Sequence, residues 1–155
     1  MQKGYEYRPA SIEELGRRWD RNIADNAGDA RWREWKDLAI ANNIAGKSRA
    51  FVVMDGDEPI GEGTLVYSPD FVEINALRID AEFEGRGHIS ALLKVMEQYA
   101  AEQGYGRAKI GASAHETRNL SIYFHWGYTE FDKAEYSEIP EEGLVLYYYK
   151  NLLKK

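Results

Sequence analysis

One stretch limits what this chain can fold into more than any other. From Ile79 to Leu93 it reads IDAEFEGRGHISALL, in which an apolar run stops, two glycines follow closely, and an amphipathic helix begins. The residues leading into it, Ile74 to Ile79, read as a strand. Beyond it, Ile89, Leu92, Leu93, Met96, Tyr99 and Ala100 recur at helical spacing on one face, and Gly104 ends the pattern. A strand, a tight turn and a helix are therefore expected, with Gly85, Arg86, Gly87 and His88 at the helix entrance. The first N–H groups of a helix have no intrahelical partners and lie at the positive end of its dipole, so this entrance suits an anion such as a phosphate. Two glycines in such a turn also occur simply because the backbone needs positive φ, and the turn alone does not choose between the readings.

Composition narrows the function classes. With 155 residues, one domain spanning 1–155 with a single core is expected. The absence of cysteine excludes a thiol nucleophile and a disulfide frame, and His88, His115 and His125 are too scattered for a structural zinc site, so no metal is expected. A net charge of −6 argues against a nucleic-acid partner and is compatible with a cationic substrate. No stretch approaches the length of a membrane span and no basic-then-apolar leader opens the chain, so the expectation is a cytoplasmic protein with no membrane partner. The 11 Tyr and 4 Trp need places in a core or a pocket.

In chain order, Tyr5 to Arg8 reads as a strand, and Ser11 with Glu14 forms a capping box ahead of a helix carrying Ile12, Leu15, Trp19 and Ile23. After a break at Asn26-Ala27-Gly28-Asp29, a second helix carries Trp32, Trp35, Leu38, Ala39 and Ile40. Gly46-Lys47-Ser48 has the ending of a P-loop, but Ala41 stands where that loop needs glycine and the order is helix then strand. Arg49 to Met54 and Ile60 to Tyr67 form a hairpin around Asp55 to Glu58, and Phe71 to Ile79 adds a third antiparallel strand. After the helix, Gly106 to Ala114 alternates Ala108, Ile110 and Ala112 against Lys109, Gly111 and Ser113, and should lie parallel to Phe71 to Ile79 through a right-handed crossover. A helix from Thr117 to Trp126 stops at Gly127. Tyr128 to Phe131 reads as a strand, Asp132 to Glu142 as an acidic connecting segment, and Leu144 to Tyr149 as the last strand.

Gly85-Arg86-Gly87 ahead of Ala91-Leu92-Leu93 resembles the pyrophosphate-binding segment of the GCN5-related N-acetyltransferases (GNAT), which reads Arg or Gln, two residues, Gly, one residue, then Gly or Ala. Glu84 stands at the leading position here and Ile89 at the last small one. A second stretch, Glu116 to Tyr128, resembles the family's late Asn, Ala, Tyr and Gly-Phe, with Tyr123 and Gly127-Tyr128 in register, Glu116 in place of Asn and Asn119 in place of Ala. The element order β-α-α-β-β-β-α-β-α-β-β is also the family's. The resemblance covers nearly the whole chain, and its sequence-specific part is confined to residues 71 to 128.

This resemblance implies an α/β, single-domain acyl-CoA N-acyltransferase fold, a mixed central sheet flanked by helices. It implies an N-acetyltransferase that moves the acetyl group of acetyl-CoA directly onto a primary amine. The cofactor's pyrophosphate would lie on Glu84, Gly85, Arg86, Gly87 and His88, its pantetheine arm on the backbone of Leu77 and Ile79, with Asn119 and Tyr123 beside it. The matching tyrosine donates a proton to the departing thiolate, a role that suits a phenol because it stays protonated at neutral pH. Glu73 lies six residues before Ile79, the spacing at which histone-modifying members place a glutamate beside the acetyl group, and is the candidate base. Period-two alternation would also put a polar residue there without chemistry. Asn75 could order a water instead, and Glu62 on the preceding strand is a further option.

Departures at Glu84, Ile89, Glu116 and Asn119 motivate an alternative, a non-catalytic acyl-CoA-binding sensor or interaction module with the same fold. A dinucleotide reading of Gly85-x-Gly87-x-x-Ser90 fails on the third glycine and on the single crossover. His88 is read as a polar cap residue, His125 as a helix-surface or core-edge residue, and the early tryptophans as core, with Trp19 or Trp32 able to add a cation–π contact if exposed. The net charge, the five acids from Asp132 to Glu142, Glu62 and Glu73 point to a small cationic amine as acceptor. A homodimer is left open.

Overall fold

The computed structural model describes residues 4–27 and 29–152; Gly28, expected in the break between the early helices, lies outside them. The elements are β1 (Tyr5–Pro9), α1 (Ile12–Asp25), α2 (Ala30–Ile44), β2 (Ser48–Asp55), β3 (Glu58–Tyr67), β4 (Val72–Ile79), α3 (His88–Glu102), β5 (Arg107–Ser113), α4 (Thr117–His125), β6 (Glu130–Tyr136) and β7 (Leu144–Asn151), with short 3-10 turns at Ala81–Phe83 and Pro140–Glu142. They follow the expected order. The strands form one mixed seven-stranded sheet in the order β1-β2-β3-β4-β5-β7-β6. Among the described residues only the β4 and β5 pair is parallel, as a crossover through α3 requires.

β2 is apolar on both faces because both are covered. Phe51 and Val53 join Leu65, Val72, Ile74 and the α3 residues Leu92 and Met96 in one core. Ala50, Val52 and Met54 meet Leu15 and Trp19 of α1 on the other face, with Trp32, Trp35, Ala39 and Ile40 of α2 packed behind. Leu38 does not join that seam and is 58% exposed. The capping box is complete: Glu14 N–H donates to Ser11 Oγ at 3.1 Å and Ser11 N–H to Glu14 Oε1 at 2.9 Å.

Between α1 and the sheet lies a buried ionic network. Arg18, 2% exposed, donates to Glu62 at 2.8 Å, to Asp80 at 2.8 Å and to the Pro59 carbonyl at 3.1 Å. Glu62 also accepts from Asn22 at 2.7 Å and Arg78 at 3.0 Å. Both of its oxygens are engaged by structural partners, so Glu62 is not placed to take a substrate proton. The network ties α1 to β3, β4 and the residue that opens the glycine turn.

The sheet departs from regular pairing in one place that matters. β4 and β5 pair at Val72↔Ala108, Glu73↔Lys109 and Ile74↔Ile110 and then separate. On its other side β4 carries a bulge: Thr64 faces Asn75 and Glu62 faces Arg78, so Ala76 and Leu77 together stand opposite Gly63. Ala76 takes a left-handed φ of 57°, a conformation costing about 1 kcal/mol in a residue with a Cβ. A Cβ on Gly63 would meet Met96 Sδ at 2.8 Å and Leu77 Cδ2 at 2.9 Å, so the missing side chain makes room for Leu77 to turn into the core.

Two sequence expectations are corrected here. The sixth strand runs Glu130–Tyr136 rather than Tyr128 to Phe131. Tyr128 is instead wholly buried, its hydroxyl donating to Glu97 at 2.6 Å. The first half of the acidic segment is therefore strand, not connection. β6 is an edge strand, and it carries the charges that keep such an edge from pairing elsewhere, which give it the composition of a loop.

Removing Arg18 would leave Glu62 and Asp80 buried with fewer partners. Arg18→Ala is expected to lower the unfolding free energy by about 3 to 5 kcal/mol in a urea melt. A loss below about 1 kcal/mol would mean that Arg21, Arg78 and Asn22 compensate both carboxylates alone.

Candidate active site

Beyond Ile79 the chain turns through Ala81–Phe83 and reaches Gly85 and Gly87, whose φ angles of 75° and 83° suit glycine. Gly87 is the N-cap of α3 and supplies no side-chain bond, leaving the first N–H groups of a 15-residue helix without a side-chain cap. Glu84, Gly85, Arg86 and Gly87 are exposed. A cleft of about 430 Å³ runs from this turn to α4, bounded by Leu77, Ile79, Gly87, Arg118, Asn119 and Tyr123. A phosphate-bearing chain fits this donor set.

His88 is not the polar cap that the sequence suggests. Its ring is 2% exposed, Nδ1 lies 2.9 Å from the Tyr7 hydroxyl, and Tyr5 packs on it at 4.5 Å. Burial, with Arg86 nearby, pushes its pKa below the ordinary range, and Nε2 has no protein partner. Only its backbone belongs to the turn's anion-facing surface. Arg86 itself places its guanidinium over Phe83 at 5.5 Å.

Leu77 and Ile79 pack half-buried against the core. Past Ile74 the backbone of β4 has no strand partner on the β5 side among the described residues, which leaves peptide groups open to a ligand lying between the strands. Asn119 donates to Glu116 at 3.2 Å at the start of α4, and Glu116 also accepts from Ser113 N–H at 3.2 Å. Arg118 was not anticipated as a site residue. A cation in the first turn of a helix opposes the dipole, and that was the available signal.

Tyr123 stands in the wall shared by this cleft and a second one. The second cleft, about 220 Å³, has Ile74 to Leu77 and Ile110 to Ser113 as its floor, with Glu73, Glu116, Glu142 and Tyr147 around it and, among the described residues, no lysine or arginine in its lining. Burial first, and then the Glu116 carboxylate, raise the Tyr123 pKa above the usual phenol range, so the hydroxyl is a donor at neutral pH. Glu73 is also held above the usual carboxylate range by burial, with Lys109 as the main opposing influence. The Asn75 amide, oriented with its nitrogen as donor, reaches Glu73 Oε2 at 2.9 Å.

Of the acidic segment only Glu142 reaches this cleft. Glu135 pairs with Lys133 at 2.7 Å and Glu141 with Arg31 at 3.0 Å. Trp19 and Trp32 line neither cleft, and Arg78 already lies over their rings at 5.5 and 5.0 Å. His125 is exposed at the end of α4. Among the described residues no group of three or more His, Asp or Glu could hold a metal ion, and no helix is long and apolar enough to cross a membrane.

The buried His88 gives a pH signature. Because its folded pKa is depressed, the unfolded state binds more protons below about pH 6.5, so this contribution to stability is present above that value and lost as pH falls. Denaturant melts between about pH 7.5 and 5.5 are expected to show falling stability, and His88→Gln to flatten the slope. An equal slope in both proteins would contradict a neutral buried imidazole.

The comparisons agree with this architecture. A crystal structure from Klebsiella pneumoniae, described as a "putative acyl-CoA N-acyltransferase", aligns over 96% of this chain and 98% of its own, at 21% identity and a TM-score of 0.68. A chimera of the spermidine N-acetyltransferase SpeG from Vibrio cholerae and hSSAT aligns over 97% and 96% of the two chains, at 17% identity and a TM-score of 0.76. The ribosomal L7/L12 alpha-N-protein acetyltransferase RimL, solved with coenzyme A, aligns over 97% and 96%, at 14% identity and 0.75. These likenesses establish the fold. No curated protein sequence matched. The sequence model of the Acetyltransferase (GNAT) family matches residues 11–128, and the chain belongs to that family of acetyl-CoA-dependent acyltransferases.

Proposed function

We propose that this protein transfers the acetyl group of acetyl-CoA directly onto the primary amine of a small cationic molecule. The observation that carries the reading is the opposite polarity of two clefts meeting at Tyr123. One offers the open N-terminus of α3 and Arg118, and suits phosphates. The other is lined by Glu73, Glu116 and Glu142, with no basic residue among the described ones, and suits a cation.

Acetyl-CoA supplies an activated acyl group, its pyrophosphate against Glu84 to His88 and its arm along the side of β4 at Leu77 and Ile79 that β5 leaves unpaired. The amine must lose a proton for the new N–C bond to form. Glu73, made more basic by burial and held by Asn75, lines the acidic cleft and in this reading accepts it. As the C–S bond breaks, Tyr123 gives its proton to sulfur, and its raised pKa keeps that proton available. Direct attack needs no covalent intermediate, in keeping with a chain that has no cysteine. The spermidine enzyme's name supports a polyamine-like acceptor, whereas RimL's name concerns a protein N-terminus, so the acidic cleft, not likeness, carries the acceptor assignment.

A panel of amines incubated with acetyl-CoA, read by release of free thiol, tests the proposal, because the protein contributes no thiol of its own. Turnover with polyamines or aminosugars is expected. Acetyl-CoA binding without turnover on any amine would favour the non-catalytic sensor.

Two further outcomes are expected. Tyr123→Phe should lower kcat by about tenfold or more with cofactor affinity nearly unchanged, since the hydroxyl acts on charge that forms in the transition state. Glu73→Gln should abolish the limb of kcat/KM that rises with pH, because a base works only when unprotonated. Comparable losses of kcat and folding stability in Tyr123→Phe would mark it as a packing residue.

For the acceptor, kcat/KM is expected to fall about threefold or more between about 0.05 and 0.5 M salt, and Glu142→Gln to weaken the dependence. A preferred acceptor that is anionic, or a rate indifferent to salt, would contradict the cationic assignment.

A further inference from the structure

Lys109 is an unusual residue to find inside this sheet. It is 6% exposed, and a buried lysine is costly unless its charge is compensated. β5 places it in register with Glu73 across the short paired section of the two parallel strands, so both side chains share one face at the point where the strands begin to part. Its ammonium lies 4.0 Å from Glu73 Oε1 and 3.5 Å from Asp132 Oδ2. Three rings surround it: Phe71 at 4.5 Å, Tyr147 at 5.1 Å and Tyr149 at 5.8 Å. Asp132 is the residue of β6 left without a register partner where that strand shifts between Phe131 and Lys133.

A lysine serving only to fill this space could be replaced by an apolar side chain without a charge to compensate. What distinguishes the site is that one of its two carboxylates faces the acidic cleft and the other does not line it. We infer that Lys109 is a positioning residue for Glu73: held in its aromatic box and shared with Asp132, it keeps the cleft-facing carboxylate anionic and oriented. The inference deepens the assignment of Glu73 as the base and rests on it for its catalytic meaning. It adds to that assignment a group that sets the pH at which the base becomes available.

The charged and titratable surroundings of Glu73 are few. From β5 it faces Lys109, from β6 Asp132 and Lys133, and from β7 Tyr147, with Glu116 and Glu142 lining the same cleft. Burial and Asp132 favour its protonated form, and Lys109 is the largest influence against them. Removing Lys109 therefore shifts Glu73 toward neutrality. Removing Asp132 acts in the opposite sense, because it deletes a like charge and leaves the ammonium to Glu73 alone.

The test is a carbon-13 titration of protein labelled at glutamate carboxyls, in which the resonance missing from Glu73→Gln identifies Glu73. Lys109→Met is expected to raise the midpoint by about one pH unit or more, Lys109→Arg to keep it near the wild-type value, and Asp132→Asn to lower it. An unmoved midpoint in Lys109→Met overturns the inference. If that variant does not fold, an unmoved or raised midpoint in Asp132→Asn overturns it instead. Kinetics with spermidine as the probe amine separate this from the parent reading. A rising limb of kcat/KM that follows the Glu73 midpoint through the series supports both. A midpoint that moves while the limb stays fixed upholds Lys109's control of Glu73 and removes Glu73 as the base.

Discussion

Three residue pairs hold β4 to β5, and everything attributed to the site depends on the strands separating after the third. A continuous parallel pair would satisfy its own backbone and leave no room between strands. Here the separation leaves β4 with peptide groups that β5 does not use, and the bulge at Ala76 and Leu77 turns the strand so that Leu77 packs into the core while Glu73 and Asn75 keep the opposite face. The left-handed Ala76 stores about 1 kcal/mol of strain, small beside the burial of the surrounding core. The ionic network around Arg18 holds the far end of β4 and the entry to the glycine turn in place, so the opening is bounded by rigid parts.

That geometry also sorts charge. On the α3 side the exposed ligands are backbone N–H groups and Arg118; on the β5 and β7 side they are carboxylates. Tyr123 belongs to both, and its burial keeps the phenol protonated where an anionic sulfur would be released. Glu73 is influenced oppositely by burial and by Lys109, and the balance leaves it more basic than an exposed carboxylate. An acceptor amine and an acyl donor can therefore be recognised by different elements and meet at one side chain.

Much of the fold could be read from local signals. The capping box at Ser11 and Glu14, the Asp55 to Glu58 hairpin, the glycine turn and the stop at Gly127 are each set by residues a few positions apart, and each appears where expected. The misreadings share a different cause. His88 is buried because Tyr5 and Tyr7, some eighty residues away in sequence, close over it. β6 is a strand because β7 pairs with it, whereas its own charges argue for a loop. The same distance dependence hid the separation of β4 from β5, the commitment of Glu62 to Arg18, Asn22 and Arg78, and the partnership of Lys109 with Glu73. Gly85 and Gly87 were legible from the helix entrance they form, and Tyr123 only through resemblance; their environments came from the packed structure.

The proposed reaction requires a cofactor arm in the opening beside β4 while its phosphates rest on the entrance of α3. Amide hydrogen exchange followed residue by residue, with and without saturating acetyl-CoA, addresses it most directly. Slowed exchange is predicted at residues 77 to 79 and 85 to 88, with little change along β1 and β2. Protection confined to the face covered by α1 and α2, or uniform protection with no excess at β4 and the glycine turn, would contradict it.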